Sequence, residues 1–270
     1  MSLSKRALPC LIGALSLGAA VLTAHAADMT TRELTQVLFA VEAGKAPDLS
    51  GRKLDGMDLS GIDFKSARLA NTQFFGSDLA GADLSGSNLD GAALDRTVIT
   101  KTRFDRASLK KASLLRPSVS AVLSMTDIVP ADAPSFAGAD LEGAKIFGRL
   151  NYANFAGANL SSTNMAPFSR TGFIEQVFRT ELQGANLEGS NLEGSNLTHA
   201  LLRFADLRGA NLRGATLAYA DLSRANLEGA DLTGADVTEA DLDGAMLRGA
   251  KGIDTLKGIA TAHNRATAVE

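Results

Sequence analysis

Apolar residues recur along this chain at every fifth position. A first series runs Leu49, Leu54, Leu59, Phe64, Leu69, Phe74 and onward without a slip to Val119, and a second runs from Leu182 to Leu247. In the second series a small residue stands two places before each centre, as at Ala185, Ser190, Ser195, Ala200, Ala205 and Ala210. The residue just before the centre is often Asp or Asn (Asp58, Asp63, Asp78, Asp83, Asn186, Asn191, Asn196, Asn211), and Gly commonly stands two places after it. A period of five fits neither a helix nor a simple strand. An extended backbone puts residues two apart on one face. A bend absorbs the remainder, and Gly and Asx supply its backbone conformation and local hydrogen bonds. If four such edges close a coil, residues twenty apart stack. The columns are then Leu49/Leu69/Leu89/Leu109, Leu54/Phe74/Leu94/Leu114, Leu59/Leu79/Ile99/Val119 and Phe64/Leu84/Phe104, all of them apolar. Coils stacked in this way pair by backbone hydrogen bonds at roughly 4.8 Å.

Units such as Ala82-Asp83-Leu84-Ser85-Gly86 and Ala230-Asp231-Leu232-Thr233-Gly234 resemble the pentapeptide-repeat family, A(D/N)LXX. The resemblance covers most of residues 46–250. It implies an all-β fold, a right-handed parallel β-helix solenoid with four short edges per coil. It is specific for the fold and says little of function.

Residues 1–26 read as a secretory signal. Lys5 and Arg6 precede an apolar stretch from Ala7 to Thr23, and Ala24-His25-Ala26 has the form of a signal peptidase site. Residues 27–45 read as a capping helix: Thr30 and Glu33 have capping-box spacing, and Leu34, Val37, Leu38 and Val41 form an apolar stripe. The first repeat arm spans 46–120. Arg52, Met57 and Ile62 stand there where Ala is expected, so the earliest coils are expected to be wider or distorted, with a local aromatic core of Phe64, Phe74 and Phe75. An irregular middle, 121–181, contains a short run at Phe136, Leu141 and Ile146. A one-residue slip then gives Leu150, Phe155, Leu160 and Met165. The stretches 120–135 and 166–180 lack the repeat and read as inserted loops. The second arm spans 182–250. Residues 251–270 read as a C-terminal cap and tail, because Ile253, Leu256 and Ile259 have helical spacing, and the end from His263 is expected to fray.

The chain carries 27 basic and 30 acidic residues; loss of Lys5 and Arg6 with the signal leaves 25 and 30, a net charge of −5. The single cysteine, Cys10, also leaves with the signal, which excludes disulfides and thiolate chemistry from the exported chain. His199 and His263 stand in unrelated contexts, and no phosphate-cradling loop, zinc-binding pattern or nucleophile elbow occurs. The sequence therefore predicts no catalytic residue, cofactor or metal. Stacking places Asp58 over Asp78, Asp63 over Asp83 and Asp221 over Asp241, but Asp before the centre belongs to the repeat itself. Charge is uneven. Residues 95–116 hold seven basic side chains against Asp95 and Asp105, whereas 181–251 hold eleven acidic against six basic.

These features predict an exported, periplasmic or secreted, non-enzymatic scaffold for protein–protein interaction. Its candidate interaction surface is Arg96, Lys101, Arg103, Arg106, Lys110 and Lys111, with Phe168, Arg170, Phe173 and Phe178 from the second insert. The partner expected is a protein, with an anionic polymer or envelope component at the basic patch. No nucleic acid and no membrane span are expected. As in several family members, the C-terminal segment is a candidate homodimer contact. The resemblance also offers a DNA-mimic that binds type II topoisomerases and confers quinolone resistance; the export signal and the basic patch oppose it. A polysaccharide-active β-helix enzyme is the third alternative.

Overall fold

The computed structural model describes residues 27–40, 45–64, 66–119, 129–167 and 179–269. The expected signal segment lies outside them. Four ladders of parallel bridges, numbered I to IV in chain order, begin at Asp48, Lys53, Asp58 and Asp63, and each residue pairs with the one twenty places on: Asp48 with Arg68, Lys53 with Gln73, Asp58 with Asp78, Asp63 with Asp83. Each leucine or phenylalanine centre points inward and is at most 3 % exposed through both repeat series up to Leu242. Burying each such side chain is worth about 1.5–3 kcal/mol. The alanines two places earlier are buried as well, and their small size lets opposite walls close over the leucine stacks.

Backbone pairing runs along the whole stack. Leu69 N donates to Asn88 O at 2.7 Å, and Asn88 N donates to Ala67 O at 3.0 Å, a pattern that recurs from coil to coil. At each bend the second residue after the centre takes positive φ, most often a glycine such as Gly81 or Gly189. The Asp or Asn before the centre closes the bend, as where Ser85 N donates to Asp83 Oδ1 at 2.9 Å. Some buried hydroxyls at the small inward position find carbonyls one coil back, as Thr72 with Leu49 O and Thr102 with Leu79 O, while Thr97 and Thr163 donate three residues back within their own coil.

At the N-terminal end, helix α1 (Thr31–Phe39) opens with the expected reciprocal capping box of Thr30 and Glu33. It buries Leu34 and Leu38 in the same core as the coil leucines. Thr31 Oγ1 donates to Asp58 O, and Lys53 N donates to Asp28 Oδ2, fastening this segment to the first coil. The first coils keep the twenty-residue register, so the widening expected from Arg52, Met57 and Ile62 does not occur. Arg52 is exposed, Met57 is buried, and Ile62 packs partly buried against the core. Phe64 and Phe74 meet edge to face inside, but Phe75 is half exposed on a bend rather than part of an aromatic core.

The described part of the middle carries ladders I, II and IV across the first insert, and ladder III resumes at Arg149. Arg103 pairs with Ser135, Ser108 with Asp140 and Ser113 with Lys145, each 32 residues on; strand β1 (Ser113–Leu115) pairs with β2 (Lys145–Phe147) in the same register. Ser135, Asp140 and Lys145 then pair 19 residues on with Asn154, Asn159 and Asn164. A second step of 32 joins Arg149 to Glu181 and Asn164 to Asn196. Each insert is therefore a twelve-residue excursion from a twenty-residue coil, and the slip is one residue removed from the bend at Gly148. A Cβ on Gly148 would meet Pro117 Cδ at 2.9 Å, so this shortened bend requires glycine. The first excursion leaves after ladder III at Ser118 and the second returns to ladder III at Glu181. Phe104, Phe136 and Phe155 stack as a triple across the first excursion, with centroids 4.8 Å apart and planes within 6°.

The C-terminal end departs from the expected helix. Ile253, Leu256 and Ile259 lie in one further, wider coil. Asp231, Asp236, Asp241 and Met246 pair with Lys251, Lys257, His263 and Val269, so successive ladder positions are six residues apart. In each six-residue edge a threonine does the same work. Thr255, Thr261 and Thr267 accept from Gly234 N, Glu239 N and Gly244 N, and donate to Gly252 O, Gly258 O and Asn264 O. The three-residue apolar spacing thus reports half-edges of a hexad, with 3-10 turns at Ile253–Thr255 and Arg265–Thr267. The end from His263 is paired through Val269 rather than frayed.

Candidate interaction surface

With the interior filled by packed apolar side chains, chemistry is confined to ladder residues and bends. Most outward carboxylates are spent on the fold. Asp58, Asp78, Asp221 and Asp241 each accept the backbone N–H two residues on. The stacks Asp58/Asp78, Asp63/Asp83 and Asp221/Asp241 are bridge partners, as the twenty-residue spacing predicts. The Thr233 hydroxyl and backbone, followed by Arg213, pull Asp231 down to about 2. The Ser60 hydroxyl and backbone lower Asp58, and those of Thr238 lower Asp236. At Asp83 burial pushes upward, but Ser85 and Arg103 outweigh it and hold the carboxyl below its usual value. Such groups are anionic at neutral pH and are poor general acids. Among the described residues, no three His, Cys, Asp or Glu side chains converge to hold a metal ion.

The predicted basic patch is a girdle rather than a face. Arg96, Lys101, Arg106 and Lys111 occupy the positive-φ position of four successive bends, one on each flank of a single coil, and Arg116 stacks over Arg96. Among the described residues, three of the six predicted cations of this run are paired. Lys101 meets Asp132 at 3.1 Å, Arg103 meets Asp83 at 3.1 Å and Asp105 at 3.5 Å, and Lys110 meets Asp140 at 3.0 Å and Glu142 at 3.4 Å. The Asp140 contact, then Glu142, raises the Lys110 pKa. Arg96 lies over the Phe75 ring at 5.5 Å. Phe168, Arg170, Phe173 and Phe178 lie outside the described residues. His199 stacks on Tyr219 at 4.9 Å, and His263 meets Glu239 at 2.9 Å.

The sequence reading missed a distinct side of the rod. The exposed aromatics of the described coils, Phe75, Tyr152, Phe204 and Tyr219, are 41–52 % exposed, and all stand on the two bends that bound ladder III. From Arg149 onward those bends carry Tyr152, His199, Phe204, Tyr219, Arg224 and Glu239 at positive φ, whereas the other two carry glycine throughout except for Ser162. Arg203 and Arg224 flank the Phe204 ring at 5.9 and 5.7 Å. The Tyr152 ring lies across Gly184, where a Cβ would come within 2.6 Å of it. Ladder I, by contrast, satisfies itself: Asn159 donates to Asp140, Asn191 to Asn159 and Asn211 to Asn191. The missed signal was that, from Arg149 onward, most replacements of bend glycine fall in two columns. It is legible only once the twelve-residue excursions are known and the columns are aligned.

Residues 48–80, 77–114, 180–218 and 220–251 match the family of pentapeptide repeats, in eight copies. Among solved structures the chain is similar to HetL, a pentapeptide repeat protein involved in heterocyst differentiation regulation from the cyanobacterium Nostoc sp. strain PCC 7120. The identity is 26 %, the match covers 89 % of this chain and 94 % of that one, and the TM-score is 0.55. It is also similar to QnrB1, a plasmid-mediated fluoroquinolone resistance protein, at 17 % identity, with 76 % and 88 % covered and a TM-score of 0.37. A pentapeptide repeat protein of the Arabidopsis thaliana thylakoid lumen is 26 % identical over 44 % of this chain and 85 % of that one, with a TM-score of 0.27. No curated protein matches the chain.

Proposed function

Because the chain belongs to the pentapeptide repeat family, a right-handed β-helix, we propose that it is an exported, non-enzymatic scaffold that binds a protein partner on its outer surface. The observation that carries this reading is how the polar groups are spent. The interior is a packed apolar stack, and the bends hold Asp58, Asp83, Asp231 and Asp236 ionised, while Asp78, Asp221 and Asp241 each accept the backbone N–H of the bend they close. What remains is a long, regular exterior interrupted by two inserts, and interruptions of a rigid scaffold are where recognition residues concentrate. The likeness to HetL, a protein involved in regulation, fits binding rather than turnover.

In this reading the rod is four-sided, α1 caps one end, and the widened final coil ends the other. Leu247, Ile253, Leu256 and Ile259 are only partly buried at that final coil, which makes it the contact for a second copy. Arg96, Arg106 and Lys111 serve an anionic envelope component. Export follows from the n-region, apolar stretch and Ala24-His25-Ala26 site. The test is expression of the full chain followed by fractionation and intact mass measurement. A periplasmic product beginning at Ala27 is expected; an uncleaved cytoplasmic product contradicts export. Pull-down from the periplasm with the intact protein, and with 166–180 replaced by two regular units, tests the binding role. Equal recovery from both removes that insert from the recognition surface.

A further inference from the structure

We infer that the ladder III side between Arg149 and Arg224 is the docking surface for a protein partner, and that the partner's docking segment is extended, apolar and acidic. The inference rests on the scaffold reading and names its site.

Backbone strain is the first argument. A non-glycine residue in the left-handed conformation costs about 1–2 kcal/mol, and glycine costs little there. From Arg149 onward the rod uses glycine at this position on the bends away from ladder III, Ser162 excepted. On the bends that bound ladder III it instead holds Tyr152, His199, Phe204 and Tyr219 at positive φ, with their rings in solvent or half in it. These rings fill no interior space, so packing does not account for them. Within this second arm, strain concentrated on one side marks a surface shaped for contact.

Composition and charge choose the occupant. Exposed Tyr and Phe beside Arg are the residues that dominate protein interfaces. Tyr152 and Phe204 stand along one bend and His199 and Tyr219 along the other, with Leu201 on the ladder between them. They form two rails parallel to the rod axis, with coils spaced by roughly 4.8 Å, and an extended segment fits lengthwise between them. The chain is acidic overall, yet this side is cationic. Arg149 meets Glu181 and Arg203 meets Asp221, while Arg224 makes no salt bridge among the described residues and rests on Phe204. Glu188, Glu193 and Glu228 stand on other bends, and Glu239, Asp241 and Asp243 end the cationic stretch just beyond Arg224. A partner carboxylate is therefore drawn to Arg224 within this stretch. A polysaccharide is disfavoured because the polar groups needed for sugar hydroxyls are already engaged: Glu181 accepts from Arg149 and Asn151, Asn151 accepts from Gln183 N, and Asp221 accepts from Ser223.

The test is selection of a displayed library of random twelve-residue peptides on the purified full chain, with an array of defined oligosaccharides as a parallel arm. Enriched peptides are expected to combine Asp or Glu with apolar residues. Their affinity should fall at least tenfold for Phe204→Ala and for Arg224→Glu, and stay unchanged for Glu188→Gln on another bend, with all three variants melting like the parent. Enrichment of basic peptides overturns the inference, as does binding indifferent to Phe204 and Arg224, or oligosaccharide binding that alone depends on them. Peptides that bind but map to other bends leave the scaffold reading standing without this site. Failure to enrich any peptide overturns both.

Discussion

Replacing Phe136 by alanine strikes the place where the first excursion rejoins the coil stack. Phe136 is fully buried and lies between Phe104 and Phe155, with both ring centroids 4.8 Å away. Two contributions are lost. Truncating a buried phenylalanine to alanine costs about 3–5 kcal/mol, including the cavity left behind. Each stacked aromatic pair adds about 0.5–1.5 kcal/mol beyond area burial, part of which is already counted in that figure. The expected destabilisation is about 4 kcal/mol, against about 1–2 kcal/mol for Phe136→Leu, which keeps most of the volume. Solenoids need not unfold in one step, so local opening is the better readout. Hydrogen exchange should accelerate at Phe104 N, which donates to Ser135 O, and at Phe136 N, which donates to Asn154 O. Amides in the Leu59–Leu69 coil should be spared. A cost below about 1 kcal/mol, with both amides unchanged, would refute the stacking of residues 104, 136 and 155.

Glycine at the bends gives a paired comparison. Gly189→Ala faces open space at φ +63°, so it should cost about 1 kcal/mol from the backbone alone, whereas Gly184→Ala also displaces the Tyr152 ring and should cost more and change tyrosine fluorescence. Acid should weaken the fold. Asp231 is pulled from 3.8 to about 2, and Asp58, Asp83 and Asp236 are lowered. Their contribution is present above the unfolded-state pKa and is lost as pH falls from roughly 4 toward 2. Urea midpoints measured across that window should drop, and Asp231→Asn should flatten part of the drop. Thr261→Val removes the acceptor for Glu239 N in the final coil, so that amide should exchange faster while Leu207 N in an inner coil does not.

The coil was legible because one rule governs it: a centre such as Leu84 or Leu232 must be apolar at every fifth position or the stack opens. The capping box of Thr30 and Glu33 was legible because its chemistry is local. The longer registers were not, since twelve additional residues in each obey no inward rule, and the lost residue at Gly148 disguises the return as a break. The final coil deceived for another reason. Ile253, Leu256 and Ile259 carry the three-residue spacing of a helix, and the six-residue recurrence of Thr255, Thr261 and Thr267 becomes meaningful only when their hydroxyls are seen on the preceding coil. The basic run from Arg96 to Lys111 looked like one patch because it is contiguous in sequence; a five-residue step moves each cation to the next flank. The aromatic side at ladder III is the converse, with Tyr152, Phe204 and Tyr219 distant in sequence and brought together only by the coil.

The most direct test of a single stack running through both excursions is disulfide formation in a Cys10→Ser background. Arg103→Cys with Ser135→Cys spans the first excursion, and Asn164→Cys with Asn196→Cys spans the second; both pairs are bridge partners. Neighbouring parallel strands lie about 4.8 Å apart, within disulfide reach. Mild oxidation should close both pairs in the folded protein and leave Arg103→Cys with Asp140→Cys, one ladder out of register, reduced. Failure of both in-register pairs, or closure of the out-of-register pair instead, would contradict the continuous solenoid.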